Sequence, residues 1–133
     1  MKSILILTAL TLFSFVGFTQ NWKEVKTTDA VKIYVKEIHY HDIVNDIDHQ
    51  RLVFRYENLT AKLIEISFNR ELIYNNKMYT QDEDFAIQIP ANGISEYSES
   101  ESKNKSFYIF KKDNKGWIKN TLDSYTFIHF KIK

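Results

Sequence analysis

The fold is decided by residues 51–74, which read RLVFRYENLTAKLIEISFNRELIY. Apolar side chains recur at every second position in both halves of this stretch: Leu52, Phe54 and Tyr56, then Ile64, Ile66 and Phe68. Successive side chains of a strand point to opposite faces, so this period of two predicts two strands, each with one buried face. Between them, Asn58-Leu59-Thr60 predicts a turn, because Asn tolerates left-handed backbone angles.

A helix is the alternative for Ala61–Tyr74. Its support is that Ile64, Phe68 and Leu72 are spaced by four residues. We favour a strand, because the alternation of Ile64, Ile66 and Phe68 is regular and β-branched residues suit a pleated surface.

The same alternation continues outside this stretch. The other apolar series are Val31, Ile33 and Val35; Phe85, Ile87 and Ile89; Phe107 and Ile109; and Ile128, Phe130 and Ile132. Turn signals separate them, the strongest being Pro90-Ala91-Asn92-Gly93. About seven or eight short strands with frequent turns predict an all-β, antiparallel sandwich, with a small β-barrel as the alternative.

The N-terminus has the layout of a secretory signal peptide. Lys2 precedes an apolar run from Ile4 to Phe18, and polar sequence follows at once. Small residues at Gly17 and Thr19 predict cleavage after Thr19, which gives a leader over residues 1–19 and one domain over residues 20–133. A retained anchor helix is disfavoured, because a bilayer core needs about 20 apolar residues. We therefore expect export to the periplasm, cell surface or medium, with no stable membrane span after cleavage.

Composition narrows the partner classes. The chain has no cysteine, so a small exported domain must be held together by its core alone. Without Lys2 the chain carries 17 basic and 17 acidic residues. A nucleic-acid binder usually has a basic excess, so we expect no nucleic-acid partner.

Several of these segments resemble a known family type. The stretch from Phe54 to Thr60, then Ile64-Glu65-Ile66, and later Phe85 to Ile94, is similar to bacterial immunoglobulin-like domains of the cell envelope. The whole layout, leader included, resembles small exported immunoglobulin-like β-sandwich proteins of Bacteroidetes-type bacteria. Within the domain, the similarity covers Ala30–Lys133. It departs from that pattern by placing two residues between Pro90 and Gly93. The resemblance implies an adhesion, assembly or recognition role, an expectation that rests on analogy of fold.

The segment from His39 to His49 is the candidate metal site. Its possible ligands are His39, His41, Asp42, Asp46, Asp48 and His49. Imidazole suits zinc, copper or nickel, and carboxylates suit calcium or magnesium. The spacing fits neither an EF-hand nor a known zinc motif, so an exposed polar hairpin is the competing interpretation. A divalent metal is thus the one possible cofactor.

No enzyme signature is present in the sequence. It contains no Gly-x-Ser-x-Gly elbow, no glycine-rich phosphate loop and no His-Glu-x-x-His motif. We therefore predict a non-enzymatic protein and keep an uncharacterised hydrolase only as a third hypothesis.

The aromatic residues favour a binding role. Trp117, beside Gly116 in a turn-rich stretch, is the first candidate for partner binding, together with Tyr108 and Tyr125. Aromatic side chains on a sheet face can stack on sugar rings or anchor a protein partner. The leading hypothesis is a recognition or assembly module of the bacterial cell envelope that binds a protein or a glycan. The second is a metal-binding protein that uses the His39–His49 segment.

Overall fold

The computed structural model describes residues 22–133, and strands make up most of that part of the chain. The predicted leader and its cleavage position lie outside the described residues. The strands are β1 (Lys23–Thr27), β2 (Val31–Asp42), β3 (Ile47–Asn58), β4 (Ile64–Tyr74), β5 (Lys77–Thr80), β6 (Phe85–Ile89), β7 (Ile94–Glu96), β8 (Tyr108–Asp113) and β9 (Leu122–Ile132). Two short 3-10 turns, Glu99–Glu101 and Lys105–Phe107, lie between β7 and β8.

These strands form two antiparallel sheets. The first sheet has the order β1-β2-β3, and both β7 and β8 pair with the free edge of β3. In the second sheet β4 is central. Ile66 pairs with both Ile87 and Ile132, so β6 and β9 lie on opposite edges of β4, and β5 continues the edge that β6 occupies. The all-β, antiparallel prediction is confirmed.

The strand prediction for Ala61–Tyr74 is also confirmed. Ile64–Tyr74 is one continuous strand, paired along both edges. The spacing of four that suggested a helix arises because Ile64, Phe68 and Leu72 all occupy inward positions of that strand. The observed strand count of nine exceeds the prediction, because β1, β5 and β7 are mostly exposed and lack an apolar series.

The core lies between the two sheets and follows the predicted alternation. Its fully buried members include Val31, Ile33, Phe54, Tyr56, Ile66, Phe68 and Ile89. Burial of such apolar side chains is the main stabilising term, worth about 1.5–3 kcal/mol for each.

The prediction fails at β9. The inward residues that pack on the core are Tyr125, Phe127 and Phe130, whereas Ile132 is exposed. His129 has φ +53°, and the pairing with β4 shifts register opposite this region. Such a bulge inserts one extra residue, so the inward positions change parity between Phe127 and Phe130.

Positive backbone angles mark several of the turns. Asn75 and Asn76 have φ +50° and +68° and join β4 to β5. The amide of Gly93 donates to the carbonyl oxygen of Pro90 at 2.9 Å and closes the turn after β6. Gly116 has φ +75°, a left-handed conformation that glycine adopts without a steric penalty.

Asn58 anchors the turn after β3. Its side chain is 1% exposed. The Nδ2 group donates to the carbonyl oxygens of Lys62, Ile89 and Pro90 at 2.8, 3.1 and 2.9 Å, and Oδ1 accepts from the amide of Thr60 at 2.8 Å. This buried amide therefore ties β3 to both the following turn and the end of β6.

Candidate functional site

A groove opens between the two sheets where β4 and β5 face β8. We call it the edge groove. Its volume is about 360 Å³, and it is lined by Leu72, Tyr74, Tyr79, Gln81, Phe110, Ile118 and Asn120. Leu72 is buried and Tyr74 is half-buried, and both continue the inward series of β4 into the lining of the groove.

The surface of the edge groove is largely apolar and aromatic. The ring of Tyr74 lies 5.9 Å from that of Tyr79 and 6.3 Å from that of Phe110, measured between centroids. At the rim, Tyr79 is 46% exposed and Ile118 is 55% exposed. Grouped apolar side chains at a concave surface are typical of binding sites.

The described residues that line the edge groove are also uncharged. Its lining, within residues 22–133, contains no carboxylate and no imidazole. The hydroxyl of Tyr74 donates to the carbonyl oxygen of Phe110 at 2.6 Å, and burial raises the pKa of Tyr74 to about 12. This hydroxyl therefore stays protonated near neutral pH, where it links β4 to β8.

A second cavity of about 160 Å³ lies deeper, and we call it the inner cavity. It shares Leu72, Tyr74, Gln81 and Phe110 with the edge groove, so the two are contiguous. Its other lining residues are Arg70, Lys105, Tyr108 and Ile109.

Arg70 is the most unusual residue of the inner cavity. It is 1% exposed, and its guanidinium carbon lies 4.8 Å from the ring centroid of Phe85 and 5.6 Å from that of Phe54. Its Nη2 donates to the carbonyl oxygens of Lys105 and Tyr108, the latter at 3.3 Å. Nε and Nη1 have no acceptor among residues 22–133. Burial lowers the pKa of Arg70.

A second buried arginine, Arg51, lies on the outer face of the first sheet. It is 3% exposed, and its guanidinium carbon lies between the rings of Tyr40 and Tyr108, at 3.8 and 3.7 Å from their centroids. Its Nε donates to Nε2 of His49 at 3.0 Å, and its Nη1 donates to the carbonyl oxygen of Ser102 at 2.7 Å.

The three predicted partner-binding aromatics do not form one surface. Trp117 is 70% exposed in the loop after β8, next to the groove-lining Ile118. Tyr108 lines the inner cavity, and its ring stacks on Arg51. Tyr125 packs against Phe54 on the core side, with a centroid distance of 5.6 Å, and lines a separate cleft of about 370 Å³ between β1 and β9.

The predicted metal ligands are distributed over two faces of the β2–β3 hairpin. His39 and His41 share a face, with ring centroids 6.1 Å apart, and His39 contacts Asp48. Hydrogen bonds from Asn114 and His39 lower the pKa of Asp48. His49 points to the other face, where its ring lies 5.1 Å from that of Tyr40.

The remaining two acids of that segment have other partners. Asp42 accepts the side-chain amide of Asn45 at 2.8 Å, and Asp46 pairs with Lys115. Within the described part of the chain, no three His, Asp or Glu residues are grouped so that they could hold an ion. Metal binding by this segment stays a prediction.

Arg51 and Arg70 were missed as site residues. Arg70 is in phase with Phe68 and Leu72, so the alternation itself puts a charged side chain inward. That signal was available in the sequence. The contacts with the carbonyls of Ser102 and Lys105 were not, because they depend on how the polar loop after β7 folds back.

Comparison with known proteins gives no family assignment. No protein-family model matches the chain, and neither a curated protein nor a solved structure is significantly similar to it. Among residues 22–133, no helix combines the length and the apolar character needed to cross a bilayer.

Proposed function

We propose that this protein is a non-enzymatic recognition module of the bacterial cell envelope, with an immunoglobulin-like sandwich that binds an apolar segment of a protein partner in the edge groove. The observation that carries the proposal is the exposed apolar rim formed by Tyr79 and Ile118 above a floor of Leu72, Tyr74 and Phe110. The envelope location rests on the secretory leader of the sequence.

A protein segment suits this groove better than a glycan. Sugar binding needs polar groups beside the aromatic ring, to pair with the hydroxyls that binding removes from water. Gln81 and Asn120 supply such groups, but Leu72, Phe110 and Ile118 do not, and apolar side chains of a peptide would gain from burial against these three. The hydrolase hypothesis gains no support from the groove, since the lining residues of the described part include no candidate pair of nucleophile and general base.

The test is selection of short peptides from a random display library on the purified domain. A double variant, Tyr79→Ser with Ile118→Ser, removes the apolar rim. The matched control is Met78→Ser, because Met78 is 60% exposed on the same strand but does not line the groove. Selected peptides should bind wild type and the control with equal affinity and bind the double variant at least about tenfold more weakly, as expected for lost burial of two apolar side chains.

Two results would count against the proposal. One is peptides that bind the double variant as tightly as wild type, which would place recognition elsewhere. The other is equal weakening by Met78→Ser, which would indicate a general effect of surface hydrophobicity. Trp117→Ala then reports whether the loop beside Ile118 extends the site.

A further inference from the structure

We infer that Arg70 is an anion-binding residue, and that the inner cavity takes the carboxylate of a ligand whose apolar body lies in the edge groove. The inference deepens the proposed function and rests on it for the route by which the ligand enters. The negative charge of the ligand, however, is inferred from Arg70 alone.

The hydrogen bonding of Arg70 is incomplete within the described residues. A guanidinium has five N–H donors and stays charged in proteins. In Arg70 the Nη2 group is satisfied by two carbonyls, while Nε and Nη1 have no acceptor within residues 22–133. Buried polar groups are nearly always paired, so buried donors without acceptors call for a partner.

The second argument is charge. No carboxylate of the described chain forms an ion pair with Arg70, and its guanidinium instead faces the rings of Phe85, Phe54 and Phe68. Ring faces attract a cation, but they do not neutralise it. A buried and uncompensated charge is strongly unfavourable, and an anion in the adjacent cavity would compensate it.

The inner cavity offers space beside Arg70. Arg70 lines the inner cavity, whose volume of about 160 Å³ is far above that needed for one water. This cavity adjoins the edge groove, because Leu72, Tyr74, Gln81 and Phe110 line both. One ligand can therefore reach the cation with its charged end while its apolar part stays in the groove.

The surroundings select a singly charged anion. Arg70 is the single buried cation of the cavity wall, because Lys105, the other basic residue there, is exposed. A carboxylate matches one positive charge and the geometry of a guanidinium. A phosphate dianion would leave excess negative charge among apolar side chains, which burial disfavours.

The test uses the side-chain Nε–H signals of the arginines. Arg51, Arg55 and Arg70 are the three arginines of the chain, so a ¹⁵N-labelled sample gives at most three such cross-peaks. They are assigned with Arg70→Lys and Arg55→Met. Wild-type protein is titrated with sodium acetate, sodium benzoate and neutral benzamide at constant ionic strength.

We expect benzoate to shift the Arg70 signal in a saturable way and to leave Arg51 and Arg55 in place. Benzamide should bind at least about tenfold more weakly, the loss expected when one charge-assisted hydrogen bond is missing. Shifts of all three signals together would indicate non-specific anion binding and overturn the inference. An Arg70 signal that stays unchanged up to saturating benzoate would overturn it as well. Because these measurements use wild-type protein, they do not depend on whether a variant folds.

Two further arms separate this inference from the proposed function. A peptide selected on the groove is compared as free acid and as C-terminal amide, which distinguishes a chain terminus from a small organic acid as the source of the carboxylate. Groove binding by both forms with no change at Arg70 would overturn the inference and leave the proposed function standing. Equal shifts by acetate and benzoate would support the anion site and count against a contribution from the groove.

Discussion

The two buried arginines of this domain lie on opposite sides of Tyr108 and differ in how completely they are paired. The ring of Tyr108 stacks on Arg51, and its carbonyl oxygen accepts from Arg70. Arg51 has a second ring, that of Tyr40, and hydrogen bonds to His49 and to a loop carbonyl. Arg70 has two carbonyls and unused Nε and Nη1 donors.

This difference separates a structural cation from a candidate ligand-binding one. Arg51 is the central residue of a cluster on the outer face, where two rings and two hydrogen-bond acceptors contact its guanidinium. Arg70 lines the inner cavity, and two of its donor nitrogens have no acceptor among residues 22–133. Groups kept incompletely paired inside a protein reduce stability, and such residues are retained where binding requires them.

The largest expected effect comes from replacing the two arginines in turn. Arg51→Met removes two stacked ring contacts and two charged hydrogen bonds, so we expect it to lower the free energy of unfolding by about 3 kcal/mol. Arg70→Met removes an uncompensated charge and keeps much of the volume, so its effect should lie within about 1 kcal/mol of zero. Urea unfolding of both variants measures the contrast.

The matched control for both is Arg55→Met, which removes a partly exposed arginine from the same face of β3 as Arg51 and breaks its ion pair with Glu96. An exposed pair contributes little, so a change of no more than about 1 kcal/mol is expected. Equal losses in Arg51→Met and Arg70→Met would contradict the distinction between the two sites.

A comparison of β4 with β9 shows which inward positions can be predicted from the sequence. The period of two places Ile64, Ile66 and Phe68 correctly inside, because both edges of β4 are paired and its inward face is covered. It fails for β9, because the bulge at His129 depends on pairing with a distant strand and leaves no local signal.

The candidate site was less accessible to prediction than the core. Trp117 was predicted to lie in a turn-rich stretch, and it is exposed in the loop after β8, where its neighbour Ile118 lines the edge groove. The importance of Arg70 depends on the absence of a nearby carboxylate, and that absence is a property of tertiary packing. A pattern of sequence positions contains no such information.

A smaller effect is expected at His49, which belongs to the Arg51 cluster. Burial, and then the charge of Arg51, lower the pKa of His49 below its ordinary 6.5. The unfolded chain therefore binds this proton more readily. The resulting contribution to stability is fully present above about pH 6.5 and is lost as the pH falls through the lower pKa of the folded state.

An NMR titration of His49 checks this assignment. In Arg51→Met the pKa of His49 should rise towards its ordinary value, because a neighbouring positive charge is gone. Arg55→Met and Arg70→Met should leave it unchanged. If the pKa of His49 does not change in Arg51→Met, the hydrogen bond between Arg51 and His49 contributes nothing to the cluster.

The smallest effect is expected from metal removal. His49 is one of the six predicted ligands, and its Nε2 already accepts from Arg51 on the face opposite to His39 and His41. An ion that engaged all three histidines would have to break that hydrogen bond and open the Arg51 cluster. We therefore expect native mass spectrometry to give the same mass before and after chelator, with an unchanged melting temperature.

A stoichiometric adduct that chelator removes, and that His39→Ala with His41→Ala abolishes, would establish a metal site. The melting temperature should then fall when chelator is added, because an ion that binds only the folded state stabilises it.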